Sequence, residues 1–289
     1  MTILLTGGSG KTATRIAALL AADKKPFLLG SRQGPLSHAA SHDREKPLIK
    51  FDMGDESTWR EPFSRDTHIE AVYLMEPRIS EPWVSMNKFV DFAAENHGVK
   101  RFVLCAGMSA AIGKDGMGRV WEHFIQSGVE YCVLRPSWFM ENLLEPGSAF
   151  TISKSNKIFT ATQDGKIPFV SADDIAKVAV HALTVEKSYN CDFKVLGPEN
   201  LTYDLIAEKL SKVLGRRIEH VKLDEASRIQ GLVQAGLSDY FARFLTRLEL
   251  SASKNSEMAT SDAIEKVTGH APKSFEEFVE ENKVIWSNN

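Results

Sequence analysis

The stretch MTILLTGGSGKTA, residues 1–13, decides the fold. A short apolar run at residues 2–6 ends in Gly7-Gly8-Ser9-Gly10 and passes into a helical pattern over Lys11–Ala22, with Ile16, Leu19 and Leu20 on one face. A strand that turns through glycines into a helix suits a phosphate. The glycines let the backbone come close, and the helix start offers N–H groups and the positive end of a dipole. The spacing is GxxGxxA counted from Gly7, with Ala13 where the helix packs on the sheet. Gly7, Ser9, Gly10, Lys11 and Thr12 are therefore the candidate phosphate-binding residues. The ending Gly10-Lys11-Thr12 also looks like a P-loop, but that motif needs a glycine five residues before Gly10, and Leu5 stands there inside the strand.

Working outward, strands are expected at 26–30, 48–51, 71–75, 101–106 and 131–135, with helices between them, notably 83–97 and Met117–Ser127. Strands alternating with helices imply parallel pairing through right-handed crossovers. The near-continuous apolar runs AVYLM and RFVLCA suit strands buried on both faces. The expected fold class is α/β: a Rossmann-type doubly wound parallel sheet with a smaller, mostly helical C-terminal substrate-binding domain. The nucleotide-binding domain is expected over 1–145, with 167–200 returning to it, and the smaller domain over 146–166 and 201–289. In the later half Ile175, Val178, Ala179, Ala182 and Leu183 follow helical spacing. Thr202 can cap a helix that Gly215 ends, and further amphipathic helices finish at Phe275–Trp286.

The second strand selects the cofactor. An acid at its end would bind ribose hydroxyls and repel a 2′-phosphate. Here it ends Gly30-Ser31-Arg32. Arg32 can fork onto a phosphate and Ser31 can add a hydroxyl, so NADP(H), with NADPH as the reductant, is the expected cofactor. Asp52 ends the third strand, where this fold commonly meets adenine; an Asp there equally suits a turn. Met75, Ala106 and Pro136 lie at the carboxyl ends of the later strands, the edge where ligands meet this fold.

Composition narrows the setting. The 289 residues carry a formal charge of −3, are 43 % hydrophobic and 25 % charged, and hold three cysteines far apart in apolar runs. No basic excess points to nucleic acid, no cysteine spacing to a metal, and no apolar stretch reaches the roughly 20 residues that span a bilayer. The first residues read as a strand rather than a signal peptide. A reducing, cytoplasmic setting is expected. The oligomeric state is not legible.

Carbonyl reduction leaves an alkoxide, so ordinary short-chain dehydrogenases protonate it with a Tyr whose partner Lys follows four residues on. In the stretch 105–123 that follows the fifth strand no Tyr occurs; the Tyr and Lys positions fall near Gly113 and Met117. The candidate groups left there are Ser109 and His123. For the substrate, the exit of the sixth strand offers Trp138 and Phe139 as aromatic faces for a cation, with Tyr73 and Trp83 behind them. Glu141 can balance a positive charge or lie on a solvated helix face.

Several segments together carry a resemblance: PFLLGSR at 26–32, KRFVLCA at 100–106, YCVLRPSWFMENLLE at 131–145, DGKIPFVSADDIAKVA at 164–179, LGPENLTYD at 196–204, VLGRRIEHVKL at 213–223 and the C-terminal VTGHAPKSFEEFVEENKVIW. RPSWFMEN resembles the NmrA-like atypical short-chain dehydrogenases. The KIPFVSADDIA and LGPENLTYD segments and the C-terminus resemble, within them, the festuclavine/agroclavine dehydrogenase family of ergot alkaloid biosynthesis. The resemblance spans nearly the whole chain and departs at 75–83 and 107–109. It implies an NADPH-dependent reductase of a cyclic iminium formed from chanoclavine-I aldehyde or its dihydro form, giving a clavine alkaloid, agroclavine or festuclavine. That fits the missing Tyr, because hydride addition to C=N⁺ yields a neutral amine. Two other readings stand beside it: an NADP(H)-sensing NmrA-like regulator, and an NADPH-dependent quinone or enone reductase.

Overall fold

The computed structural model describes residues 1–34 and 48–287. The chain divides into two compact units. The first comprises Met1–Pro136, Ala172–Val195 and Lys266–Gly269; the second comprises Ser137–Ser171, Leu196–Glu265 and His270–Asn289. In chain order the strands are β1 Thr2–Leu5, β2 Phe27–Ser31, β3 Leu48–Lys50, β4 Ile69–Met75, β5 Arg101–Cys105, β6 Glu130–Pro136, β7 Lys157–Thr160, β8 Cys191–Val195 and β9 Glu219–Lys222. The helices are α1 Lys11–Ala22, α2 Arg60–Arg65, α3 Pro82–His97, α4 Met117–Ser127, α5 Pro146–Phe150, α6 Ala172–Thr184, α7 Tyr203–Leu214, α8 Glu225–Gln234, α9 Asp239–Ala252, α10 Ala263–Thr268 and α11 Phe275–Trp286. Among the described residues no helix is long and apolar enough to cross a membrane.

The first unit is built on a seven-stranded parallel sheet of order β3-β2-β1-β4-β5-β6-β8. β1, β2 and β5 are buried along their whole length, as strands covered on both faces must be. Leu4, Val72, Leu74, Phe102 and Leu104 pack with Phe89 and Val90 of α3 and Val120 and Phe124 of α4. Alternation sends Ile3, Leu5 and Tyr73 to the other face, where α1 and α6 pack together. The doubly wound fold is therefore the one the sequence implies. α1 and α4 have the bounds their spacing predicts.

The second unit holds a two-stranded parallel sheet, β7-β9, among its helices. Its core gathers Phe169, Tyr203, Ile206, Leu210, Phe275, Phe278 and Trp286. Thr202 caps α7 by accepting from Leu205 N at 3.2 Å, and Gly215 ends it at φ 66°.

The division between units falls at Pro136, not at 145. Residues just after Pro136 are bonded to their own unit. Met140 N donates to Val170 O at 2.9 Å, Val170 N to Trp138 O at 3.0 Å, and Trp286 Nε1 to Leu143 O at 3.2 Å. At the far end the first unit recovers only Ala172–Val195 of the stretch expected to return to it, because α6 packs on α1 and β8 pairs with β6.

Candidate functional site

The glycine turn begins where β1 leaves the sheet. Thr6 N donates to Tyr73 O at 3.0 Å, and the Thr6 hydroxyl then donates to the same carbonyl at 3.0 Å and accepts from Met75 N at 2.9 Å. The side chain thus replaces the next rung of the ladder and frees the backbone to turn. Gly7 sits at φ 65°, a conformation open to glycine. Gly10 N donates to Gly7 O at 2.7 Å and Gly8 N to Gly30 O at 2.8 Å. A Cβ on Gly10 would lie 2.9 Å from Gly7 O, so the turn closes only without one. Gly10 is the N-cap of α1; no side chain caps the helix and its first turn carries no acid. Neither a capping side chain nor an acid of the first turn meets the positive end of the dipole. Gly7 and Ser9 are exposed and Lys11 is half-buried. Thr12 is buried, and its hydroxyl accepts from Tyr73 Oη at 2.8 Å, so only its backbone faces the turn. The turn stands between β1 and β4, where the strand order reverses and such sheets open a crevice.

Around that turn the other cofactor candidates lie at the carboxyl edge. Ser31 closes β2 and is buried; its carbonyl accepts from Phe51 N at 2.9 Å and Gly34 N at 3.0 Å. Arg32 follows, exposed, with no ion-pair partner among the described residues. Met75 and Ala106 are half-buried and Pro136 is buried, at the ends of β4, β5 and β6. Met75 closes on the turn: a Cβ on Gly7 would lie 3.2 Å from Met75 Cβ. Asp52 is a turn former. Its Oδ1 accepts from Gly54 N at 2.9 Å, and its carbonyl accepts from Trp59 Nε1 at 3.2 Å.

The positions near the missing acid bring no acid of their own, although the Glu122 carboxylate stands beside Gly113, where a Cβ would lie 3.0 Å from Glu122 Oε1. Gly113, at φ 74°, donates to Gly118 O at 3.0 Å, and Met117 is buried in the core. Ser109 is exposed in the 107–116 loop. His123 is engaged elsewhere: its Nε2 pairs with Asp91 Oδ1 at 2.7 Å, clasping α4 to α3.

Of the aromatic candidates, Tyr73 is withdrawn from any ligand, fully buried with its hydroxyl on Thr12. Burial holds that phenol far above its ordinary value. Trp83 is half-buried, and a cation already stands over it: the Arg119 guanidinium carbon is 5.8 Å from its centroid. In the second unit the Trp138 ring meets Phe169 and Tyr203 edge-on at 6.4 Å each, so it belongs to an aromatic cluster of that core. Phe139 is half-buried and bridges Val170. Glu141 lies on no solvated face. It is 3 % exposed, and its Oε1 accepts from the Ser171 hydroxyl at 3.2 Å.

One residue at this edge escapes sequence reading. Arg135, on β6, donates from Nη1 to Asp192 Oδ2 at 2.9 Å and from Nη2 to Met108 O at 2.7 Å, with its guanidinium carbon 5.8 Å from the Trp121 centroid. It ties the loop after β5 to β6 and β8. Its only signal is a charge within an apolar strand. Arg135→Lys keeps the charge but loses the fork. It is expected to speed hydrogen exchange of the amides at 107–110 about tenfold, the loss of one charge-assisted bond. Unchanged exchange would remove Arg135 from this role.

A parallel sheet of this order, with an uncapped glycine turn at its reversal point, defines a Rossmann-type α/β protein of the dinucleotide-binding kind. No protein-family profile matches the chain. It is 41 % identical over 294 residues to a protein named festuclavine synthase II of Penicillium roqueforti, covering 99 % of this chain and 100 % of that one. It is 41 % identical over 292 residues to agroclavine dehydrogenase of Claviceps fusiformis, covering 99 % of each. An NADPH-dependent quinone oxidoreductase of Escherichia coli, solved with NADPH, shares the fold with a TM-score of 0.80 at 22 % identity, over 97 % of this chain and 99 % of that one. The chain belongs to the festuclavine/agroclavine dehydrogenase family, a family of oxidoreductases.

Proposed function

We propose that this protein is an NADPH-dependent reductase of the cyclic iminium formed from chanoclavine-I aldehyde or its dihydro form, giving agroclavine or festuclavine. The observation that carries this reading is the chemistry missing from the loop after β5. The positions of the acid pair fall near Gly113 and buried Met117, in a chain whose family members are named for clavine alkaloids.

The residues present fit the cofactor. The turn at Gly7–Gly10 excludes a Cβ at Gly10, the start of α1 is uncapped, and Arg32 extends from the end of β2 without an ion-pair partner among the described residues. The backbone of Ser9 to Thr12 would receive the pyrophosphate and Arg32, with Ser31 beside it, the 2′-phosphate. The cofactor supplies hydride, and hydride added to C=N⁺ leaves a neutral amine, so no side chain has to deliver a proton. The chain's own work is to hold, to orient and to exclude water. A partly exposed aromatic ring, Phe139 or Trp83, is the face offered to the substrate.

The test is NADPH oxidation by the purified protein with chanoclavine-I aldehyde pre-incubated with glutathione, the dihydro-aldehyde in parallel, and products read by mass spectrometry. A clavine carrying one hydrogen from labelled cofactor is the expected result and says which clavine is made. Turnover of a quinone or enone without either clavine would replace the iminium reading. Tight NADPH binding without turnover of any acceptor would point to a dinucleotide sensor.

A further inference from the structure

An iminium carries a positive charge, and Glu141, the acid the sequence offers to meet it, is buried against Ser171. Another carboxylate stands at the carboxyl edge of the first unit. Glu76 directly follows Met75, the residue that closes on Gly7, so it leaves β4 beside the glycine turn. It is near enough to the end of β5 for its charge to act on the Cys105 thiol, which burial above all raises to about 11. Glu76 is reachable by solvent, yet no hydrogen bond or ion pair is made to its carboxyl among the described residues. Partial loss of water holds that carboxyl above the ordinary range.

Three other acids of this unit are already engaged. Asp52 accepts from Gly54, Asp91 from His123 and Asp192 from Arg135. A carboxylate that has lost water and gained no partner is a cost to the folded protein, and an arriving cation removes it. The Thr6 rung at Met75 N fixes the chain just ahead of Glu76, so the charge is presented from a held strand end.

We infer that Glu76 is the substrate-binding carboxylate that faces the positive charge of the iminium beside the glycine turn. This rests on the iminium reading above. It makes the site selective for charge at the substrate, with Glu76 acting on binding.

The test is steady-state kinetics of the full-length protein at saturating NADPH, with the glutathione-treated aldehyde as substrate, for wild type, Glu76→Gln and Glu76→Asp. Glu76→Gln is expected to raise KM about tenfold, the weight of one close charge pair at a partly wet site, with NADPH Kd unchanged by fluorescence titration. Glu76→Asp, which keeps the charge, is expected to return KM to within about threefold of wild type. The wild-type KM is expected to rise with ionic strength and that of Glu76→Gln to stay flat, a difference that a structural role would not produce. Equal KM and equal salt dependence in wild type and Glu76→Gln would overturn this inference alone. Absence of iminium turnover in wild type would overturn the iminium reading, and this inference with it.

Discussion

Arg32→Ala is expected to weaken NADPH binding about 100-fold and NADH binding less than threefold, because a forked guanidinium–phosphate contact is among the strongest charge-assisted bonds and NADH has no 2′-phosphate to receive it. The expectation has a structural basis. β2 ends at Ser31, which is buried and whose carbonyl is held by Phe51 and Gly34. The next residue is exposed and makes no ion pair among the described residues. No carboxylate stands at 30–32 to hold ribose hydroxyls and repel a phosphate. Titration of protein fluorescence with both cofactors measures the two constants. A loss shared equally by NADPH and NADH would remove Arg32 from the 2′-phosphate and return it to the solvated surface.

Gly197→Ala is expected to destabilise the protein by about 3 kcal/mol, at the upper end of ordinary overpacking. Gly197 has no room for a methyl group. A Cβ there would lie 1.7 Å from Phe169 O and 2.7 Å from Phe169 C, backbone atoms that cannot swing aside. The segment it abuts is held from several sides. Gly197 N donates to Pro168 O at 3.2 Å, the Ser137 hydroxyl donates to the same carbonyl, and Ile167 bridges Leu201. Phe169 in turn lies in the aromatic cluster with Trp138 and Tyr203. Moving the segment therefore disturbs the core of the second unit. Gly231→Ala serves as the control. Gly231 lies within α8 with nothing within 4 Å of its Cβ position, and alanine there is expected to stabilise by about 0.5–1 kcal/mol. Chemical denaturation of both variants gives the comparison, and equal midpoints would refute the packing argument.

The parts of the fold that were legible are those whose cause is local. β1, the glycine turn and α1 announce themselves within 22 residues, since the periodicity switches at the glycines. The central strands read well because burial on both faces leaves an apolar run that solvent-facing chain does not have. α4 and α11 carry their own start and stop signals, Gly128 at φ 71° for one and the Ser274–Glu277 capping box for the other. β8 was not legible: Cys191-Asp-Phe-Lys-Val195 is mixed in polarity and only partly buried, as an edge strand is. β7 and β9 pair only with each other and are four residues each. Neither length nor pattern separates such strands from loops.

The candidate site divides in the same way. The phosphate turn and Arg32 are candidates that a single short segment suggests by itself. Tyr73, Trp138, His123, Asp52 and Glu141 each admit more than one reading from sequence, because each can be satisfied by solvent, by a ligand or by the protein. Arg135 and Glu76 escape sequence reading for the same reason, one bonded to a neighbouring strand and a loop and the other with no partner among the described residues.

By itself, then, the sequence determined the doubly wound sheet, the glycine turn at its first crossover and the absence of an acid pair, since all three are written in neighbouring residues. Only the tertiary structure decided which side chains remain for a ligand. The Tyr73 hydroxyl is taken by Thr12 across 61 residues and Glu141 is met by Ser171 across 30. A hydrogen bond of that kind depends on where folding brings two distant groups, and residue type and spacing carry no record of that distance.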